Sequence, residues 1–149
     1  MRDAFATPWK IRNRIGSFLS RPRVRWMFFL NGIPWGRGWK FYGAPIIQKH
    51  RGSTMRFGAG LQLRSHSRAN PLGIDHPVIF STLSPGAKLV IGDTFAMSGG
   101  SICAAESVTI GNNVALGANS VIVDTDFHPL RPDLREKYPL DGKTGPVVI

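Results

Sequence analysis

Three residues that could carry out chemistry lie in the short segment from Asp124 to Pro129. Histidine titrates near neutral pH, so His128 could act as a general base that takes a proton from a hydroxyl group. Asp126 lies two residues before it and could orient the ring, as carboxylates do for other catalytic histidines. Asp124 is a candidate for binding the hydroxyl-bearing acceptor. Aspartates also stabilise turns, and that alternative stays open for both of them.

The sequence that leads to this segment contains a six-residue repeat. Similar apolar residues recur at six-residue intervals, with one extra residue before Ile110: Phe57 and Leu63; Ile91, Met97 and Cys103; Ile110, Leu116 and Ile122. Glycine follows the repeat residue at positions 58, 92, 111 and 117. A period of six fits neither an α-helix nor a plain strand, but it fits a short strand followed by a sharp corner.

Three such units close a triangular coil of about 18 residues, and stacked coils pair as parallel strands. We therefore expect an all-β fold over residues 46–149, interrupted by insertions at 64–78 and 129–145. The repeat residues should point into the interior, together with Val108, Val114 and Ser120. The next step of six lands on His128, at the edge of the second insertion.

The stretch from Ile91 to Pro129 resembles the hexapeptide-repeat O-acetyltransferases, and most closely the sugar O-acyltransferases of capsular and exopolysaccharide biosynthesis. The resemblance covers about residues 40–149 and is most specific in Asp124–Pro129. It implies a left-handed parallel β-helix and a homotrimer with active sites in the grooves between subunits. It also implies acetyl-CoA as the donor, a sugar hydroxyl of a glycan or glycan precursor as the acceptor, and His128 as the base. Relatives continue for several more coils, so the resemblance implies that the chain is truncated after Ile149.

Further candidate residues lie at one corner and in the first insertion. Ser98, Gly99 and Gly100 stand where members of this family often have an asparagine near the acyl group, which predicts contact with the coenzyme; a plain corner of the coil is the alternative. Asn70 and His76 lie in the insertion at 64–78 and are predicted to bind the acceptor, with an ordinary surface loop as the equal alternative. Cys103 is predicted to be a buried small hydrophobic residue and not a nucleophile.

Residues 1–45 form a basic front segment that we expect to be partly helical. Residues 1–70 carry 14 of the 19 Lys and Arg residues and one acidic residue, Asp3. An amphipathic helix is predicted from Trp9 to Leu19, ended by Pro22, and a short strand is predicted at 46–47. Basic residues interleaved with Trp and Phe suit an anionic lipid surface, so we expect packing plus peripheral membrane contact. A nucleic-acid arm is not favoured, because nothing downstream resembles a reader module.

Two other classes of function stay open on the sequence. A metalloenzyme similar to the γ-class carbonic anhydrases would need several histidines on the coils, where only His128 is available, so no metal is predicted. A structural or catalytically inactive β-helix is the other alternative. The single cysteine and the lack of a visible secretory signal favour the cytoplasm, with contact at the inner face of the membrane.

Overall fold

The computed structural model describes residues 6–149 of the chain. Helix α1 spans Pro8–Leu30, helix α2 spans Pro132–Lys137, and a short 3-10 helix spans Ser67–Ala69. The strands of this region are β1 (Lys40–Tyr42), β2 (Ile46–Lys49), β3 (Thr54–Phe57), β4 (Gln62–Arg64), β5 (Ile79–Thr82), β6 (Lys88–Ile91), β7 (Ala96–Ser98), β8 (Ser101–Ala104), β9 (Ser107–Ile110), β10 (Ala115–Ala118), β11 (Val121–Val123) and β12 (Val147–Val148). The strand predicted at 46–47 is confirmed as the start of β2.

The strands form three sheets in which every neighbouring pair is parallel. Sheet A has the order β1-β4-β7-β10, sheet B has β2-β5-β8-β11, and sheet C has β3-β6-β9-β12. Each strand therefore pairs with the strand three places along the chain, and the chain visits the three sheets in turn. We call one passage through sheets A, B and C a coil. This topology is consistent with a parallel β-helix.

The interior is built from stacked apolar side chains, as the repeat predicts. Leu63 pairs in register with Met97, and Leu89 pairs with Val108, so buried residues of successive coils lie over one another. The predicted inward residues that are fully buried are Leu63, Ile91, Met97, Val108 and Ile110. Phe57, Val114, Leu116 and Ile122 are half-buried and pack against the same core.

The predicted inward positions of Cys103 and Ser120 are wrong. Ile102 and Ala104 are the fully buried residues of β8, and Cys103 between them is only half-buried. The corner at Gly99 and Gly100 holds one residue more than a six-residue step, and in a strand a shift of one residue turns every side chain to the other face. Ser120 lies in the corner before β11, where its hydroxyl donates to the carbonyl of Gly117 at 3.1 Å.

The predicted end of the first helix is also wrong, because α1 continues through Pro22 to Leu30. A proline inside a helix costs about 3 kcal/mol, since it removes a hydrogen bond and crowds the preceding turn. Val24 and Phe28 follow it and are both fully buried. Burial of two such side chains contributes about 1.5–3 kcal/mol each, which is enough to offset the proline.

Helix α1 covers the open end of the first coil. The ring of Phe28 lies 5.1 Å from that of Trp39 and 5.6 Å from that of Phe41, centroid to centroid. Trp35 and Phe57 complete this aromatic cluster around Phe28. The front segment therefore shares one core with the sheets. Among residues 6–149, no helix is both long enough and apolar enough to cross a membrane.

Candidate functional site

His128 lies in a tight, strained turn after the end of β11. Its backbone N–H donates to the carbonyl of Asp126 at 2.6 Å, and Phe127 between them has a φ of 59°. A hydrogen bond between residues two apart around a positive φ defines the rarer form of γ-turn, which is strained. A bulky residue held at positive φ costs about 1–3 kcal/mol, and such strain clusters at functional sites. The backbone next to His128 is therefore held in an unfavourable conformation by its surroundings.

The ring of His128 is half-buried and has one defined partner. Its Nδ1 atom forms a short hydrogen bond with the carbonyl oxygen of Pro139. A carbonyl oxygen can only accept, so this bond requires the proton of the neutral ring to be on Nδ1. The lone pair is then on Nε2, which makes Nε2 the atom that can take up a proton.

The insertion at 129–145 returns to brace this turn. The backbone N–H of Asp126 donates to the carbonyl of Lys143 at 2.9 Å, and the N–H of Gly145 donates to that of Asp124 at 3.0 Å. A Cβ added to Gly142 would lie 2.5 Å from the carbonyl carbon of Phe127. The segment 137–141, which supplies the Pro139 carbonyl, lines an open depression of about 350 Å³. The insertion thus positions His128 through Pro139, which also lines the depression, whereas His128 is not among the lining residues.

The two aspartates of the segment differ in their surroundings. Asp124 is 4% exposed, and its carboxylate accepts from the backbone N–H groups of Ala105, Glu106 and Ser107 at 2.6–2.8 Å. This carboxylate stabilises the corner between β8 and β9, so the geometry gives no support to the predicted acceptor-binding role. Asp126 is exposed, and within residues 6–149 no hydrogen bond or ion pair joins its carboxylate to the His128 ring. Its predicted role stays a prediction; the orienting partner that the structure provides is Pro139.

Cys103 is not suited to be a nucleophile. Burial raises the pKa of its thiol, and the negative charge of Asp124 raises the pKa further. A thiol with a raised pKa stays protonated near neutrality, and the thiolate is the reactive form.

The corner at Ser98–Gly100, which is predicted to contact the coenzyme, lies at the end of sheet B where its strands begin. Gly99 and Gly100 have φ values of 58° and 78°. A Cβ on Gly100 would lie 2.1 Å from the carbonyl oxygen of Ser120, and one on Gly99 would lie 3.0 Å from that of His76. Close backbone approach therefore accounts for both glycines, and Ser98 beside them is 4% exposed. Their contact with a coenzyme stays a prediction.

The first insertion folds onto this same corner. The side-chain oxygen of Asn119 accepts from the backbone N–H of Asp75 at 3.0 Å. The Nδ1 atom of His76 donates to the carbonyl of Pro77 at 2.8 Å. The side chain of Asn70 accepts from the N–H of Leu72 at 2.9 Å, which closes a local turn. The structure thus brings the backbone of His76 to the Ser98–Gly100 corner, whereas Asn70 bonds to Leu72 and Gly73 within the insertion.

Within one chain, the two predicted parts of the site are apart. The Ser98–Gly100 corner precedes β8, whereas His128 follows the end of β11, which pairs with β8 in parallel. The four residues of β8 span about 13 Å, so the two corners lie at opposite ends of sheet B. Two further clefts, of about 280 and 500 Å³, lie between α1 and the first insertion and do not include His128.

Neither metal-ligand groups within residues 6–149 nor comparisons with known proteins add to this description. Within residues 6–149, no group of three or more His, Cys, Asp or Glu side chains could hold a metal ion. Comparison with protein families, with curated protein sequences and with solved structures returns no match to the chain.

Proposed function

We propose that the protein is an O-acyltransferase of the hexapeptide-repeat type, which moves an acetyl group from acetyl-CoA to a sugar hydroxyl of a glycan or glycan precursor. The observation that carries the proposal is the hydrogen bond between His128 Nδ1 and the Pro139 carbonyl, made beside a strained turn. In the neutral ring this bond leaves the lone pair on Nε2, which is the atom that can act as the base. The resemblance of residues 91–129 to the sugar O-acyltransferases supplies the reaction and the substrates.

In the proposed reaction, His128 Nε2 takes the proton of the acceptor hydroxyl while that oxygen attacks the thioester carbonyl carbon. The tetrahedral intermediate collapses with cleavage of the C–S bond. The proton on Nε2 then passes to the departing thiolate, so the products are the acetyl ester and free coenzyme A. The Pro139 carbonyl stabilises the transient imidazolium, because its oxygen carries a partial negative charge opposite Nδ1. Asp126, which is exposed and lies two residues before His128 in the sequence, adds a smaller electrostatic contribution in this proposal.

The proposal includes a left-handed coil and a homotrimer with sites in the grooves between subunits. Its support is that one chain holds the Ser98–Gly100 corner and His128 at opposite ends of sheet B. A groove between two chains could bring the corner of one chain to His128 of the next. In that arrangement Ser98, Gly99 and Gly100 contact the coenzyme, and Asn70 and His76 of the neighbouring insertion face the acceptor.

The test is acetyl transfer measured with defined substrates. Acetyl-CoA binding is followed by calorimetry, and release of free coenzyme A thiol is followed with a panel of hexose and N-acetylhexosamine glycosides. The expected result is saturable acetyl-CoA binding and thiol release that depends on a glycoside hydroxyl. Failure of millimolar acetyl-CoA to bind the folded protein would contradict the proposal and favour a structural β-helix.

A further inference from the structure

Helix α1 has one face that packs onto the protein body. The positions on this face follow helical spacing: Asn13, Ser17, Ser20, Val24 and Phe28. Val24 and Phe28 are fully buried, and the side chain of Asn13 donates to the backbone carbonyl of Arg68 at 3.1 Å. These contacts fix the rotation of the helix about its own axis.

The opposite face of α1 is an exposed apolar stripe. The same spacing places seven large apolar side chains there: Ile11, Ile15, Phe18, Leu19, Trp26, Phe29 and Leu30. They are 45–70% exposed. Trp26 and Phe29 stack on each other at 5.5 Å, which joins them into one surface. A contiguous apolar surface of this kind on the outside of a protein marks an interaction site.

Cationic side chains flank the stripe on both sides. Lys10, Arg14, Arg21 and Arg25 follow one edge, whereas Arg12 and Arg23 follow the other. The helix contains no acidic residue. An apolar stripe bordered by basic rows matches the interface of a bilayer with anionic headgroups, where the apolar side chains enter the acyl region and the cations meet the phosphates.

We propose that α1 docks in the plane of an anionic lipid bilayer through this stripe. The charge pattern argues against a second copy as the occupant. Two stripes packed together would bring their arginine rows side by side, with no acidic residue in either helix to compensate. A bilayer instead supplies an apolar layer and a negative layer at the spacing that long arginine side chains can bridge.

The docking direction follows from the packing of α1 on the first coil. Phe28 points into the aromatic cluster at the end of the coil stack, so the stripe points away from the stack. The coils then rise from the bilayer surface. His128 follows β11 in the fourth coil, three coil spacings of about 4.8 Å from the first, or about 15 Å further out.

Vesicle sedimentation tests the docking surface and requires no acyl donor, so it is independent of the proposed catalysis. Wild-type protein should sediment with vesicles of phosphatidylglycerol and phosphatidylcholine and much less with phosphatidylcholine alone. Phe18→Asp should weaken partitioning at least about tenfold, because it places a charge in the stripe at a 70% exposed position. The matched control is Leu72→Asp, which makes the same change at an 86% exposed residue off the helix and should bind as wild type does.

The basic rows are tested separately. The double variant Arg21→Gln, Arg23→Gln removes one cation from each row and should weaken binding to anionic vesicles about tenfold. The control is the double variant Arg135→Gln, Lys143→Gln, which removes two exposed cations elsewhere. It should change binding to anionic vesicles less than twofold. Vesicles containing brominated lipid should quench tryptophan emission of the wild type and quench that of Trp26→Phe less.

Three results would overturn the proposal. One is equal sedimentation of wild-type protein with and without anionic vesicles. Another is a Phe18→Asp variant that binds as tightly as Leu72→Asp. The third is a wild-type oligomer that Phe18→Asp dissociates while no vesicle binding occurs, which would assign the stripe to a second copy.

Discussion

The two ends of sheet B both require left-handed backbone conformations, but they meet the requirement with different residues. At the start of the sheet, Gly99 and Gly100 adopt φ values of 58° and 78°, which glycine tolerates without strain. At the far end, Phe127 adopts 59°, which a bulky side chain adopts only with strain. The contacts of Gly100 with Ser120 explain the first corner as close packing. The second corner keeps a strained residue directly before the histidine that we propose as the base.

The comparison shows where each corner gets its rigidity. The next coil approaches Gly99 and Gly100 through Asn119 and Ser120, and the first insertion also reaches Gly99 through Ile74 and His76, so close packing fixes that corner. The turn at Phe127 is held from outside by the insertion, through Lys143, Gly145 and the close approach of Gly142. The insertion at 129–145 holds Phe127 in its strained conformation and also positions His128. Substitutions at the Gly99–Gly100 corner should therefore lower the stability of the protein. Substitutions that disturb the turn at Phe127 should lower its activity.

The largest expected effect is that of His128→Ala on acetyl transfer. Removing a general base lowers turnover by about 10²- to 10⁴-fold. The fold should survive, because the residue lies in a turn outside the coils. His50→Ala serves as the matched control, since His50 lies in the connection between β2 and β3 and should leave turnover unchanged. Thiol release under saturating acetyl-CoA measures both. If His128→Ala and the wild type had equal activity, the turn at Phe127 would have no role in activity that sets it apart from the Gly99–Gly100 corner.

The next effect is on stability at the first corner. Gly100→Ala should lower the free energy of unfolding by about 3–4 kcal/mol, because strain from the positive φ adds to a clash with the Ser120 carbonyl. Gly73→Ala is the control, since Gly73 has a φ of 75° but nothing within 4 Å of an added Cβ. It should cost only the strain, about 1–2 kcal/mol. Urea unfolding measures both, and equal losses would show that the close approach is wrong.

A smaller loss is expected for Asp124→Asn. The amide keeps one acceptor oxygen, but its NH2 group faces backbone donors, so we expect a loss of about 2–3 kcal/mol. Asp126→Asn changes an exposed residue two positions away and should cost less than about 0.5 kcal/mol. In Asp124→Asn the pKa of Cys103 should fall, because one of the two causes that raise it is removed. Alkylation of the single cysteine should then begin at lower pH than in wild type. A Cys103 alkylation profile unchanged by the substitution would argue against the contact.

The smallest effect is expected for Gly142→Ala, which presses on the backbone of Phe127 and His128. Displacement of the base by a fraction of an ångström should lower kcat about tenfold and leave KM unchanged. Gly145→Ala lies in the same insertion with nothing within 4 Å of an added Cβ, and it should not change kcat. A Gly142→Ala variant with wild-type kcat would mean that the insertion does not position the ring.

Most of the residues that the repeat predicted to point inward belong to the core or pack against it, and the failures of the repeat have local physical causes. Ile91, Met97 and Ile110 are buried as predicted because regular six-residue steps keep one face inward. Cys103 was misplaced because the pair Gly99-Gly100 adds a residue that a fixed period does not register. Pro139 was missed as the partner of His128, since it lies 11 residues away across an insertion and offers only a backbone carbonyl. Every residue has a backbone carbonyl, so the sequence does not show which carbonyl will bind the histidine.

The central claim is that His128 presents Nε2 as a free base because Nδ1 is bound to the Pro139 carbonyl. Nitrogen-15 NMR of the protein with labelled histidine, assigned by comparison with His128→Ala, measures this directly in the neutral ring. We expect a protonated Nδ1 and an unprotonated Nε2 in the neutral ring of His128. A neutral ring with the proton on Nε2 would contradict it, because that atom could then accept no proton from a hydroxyl group.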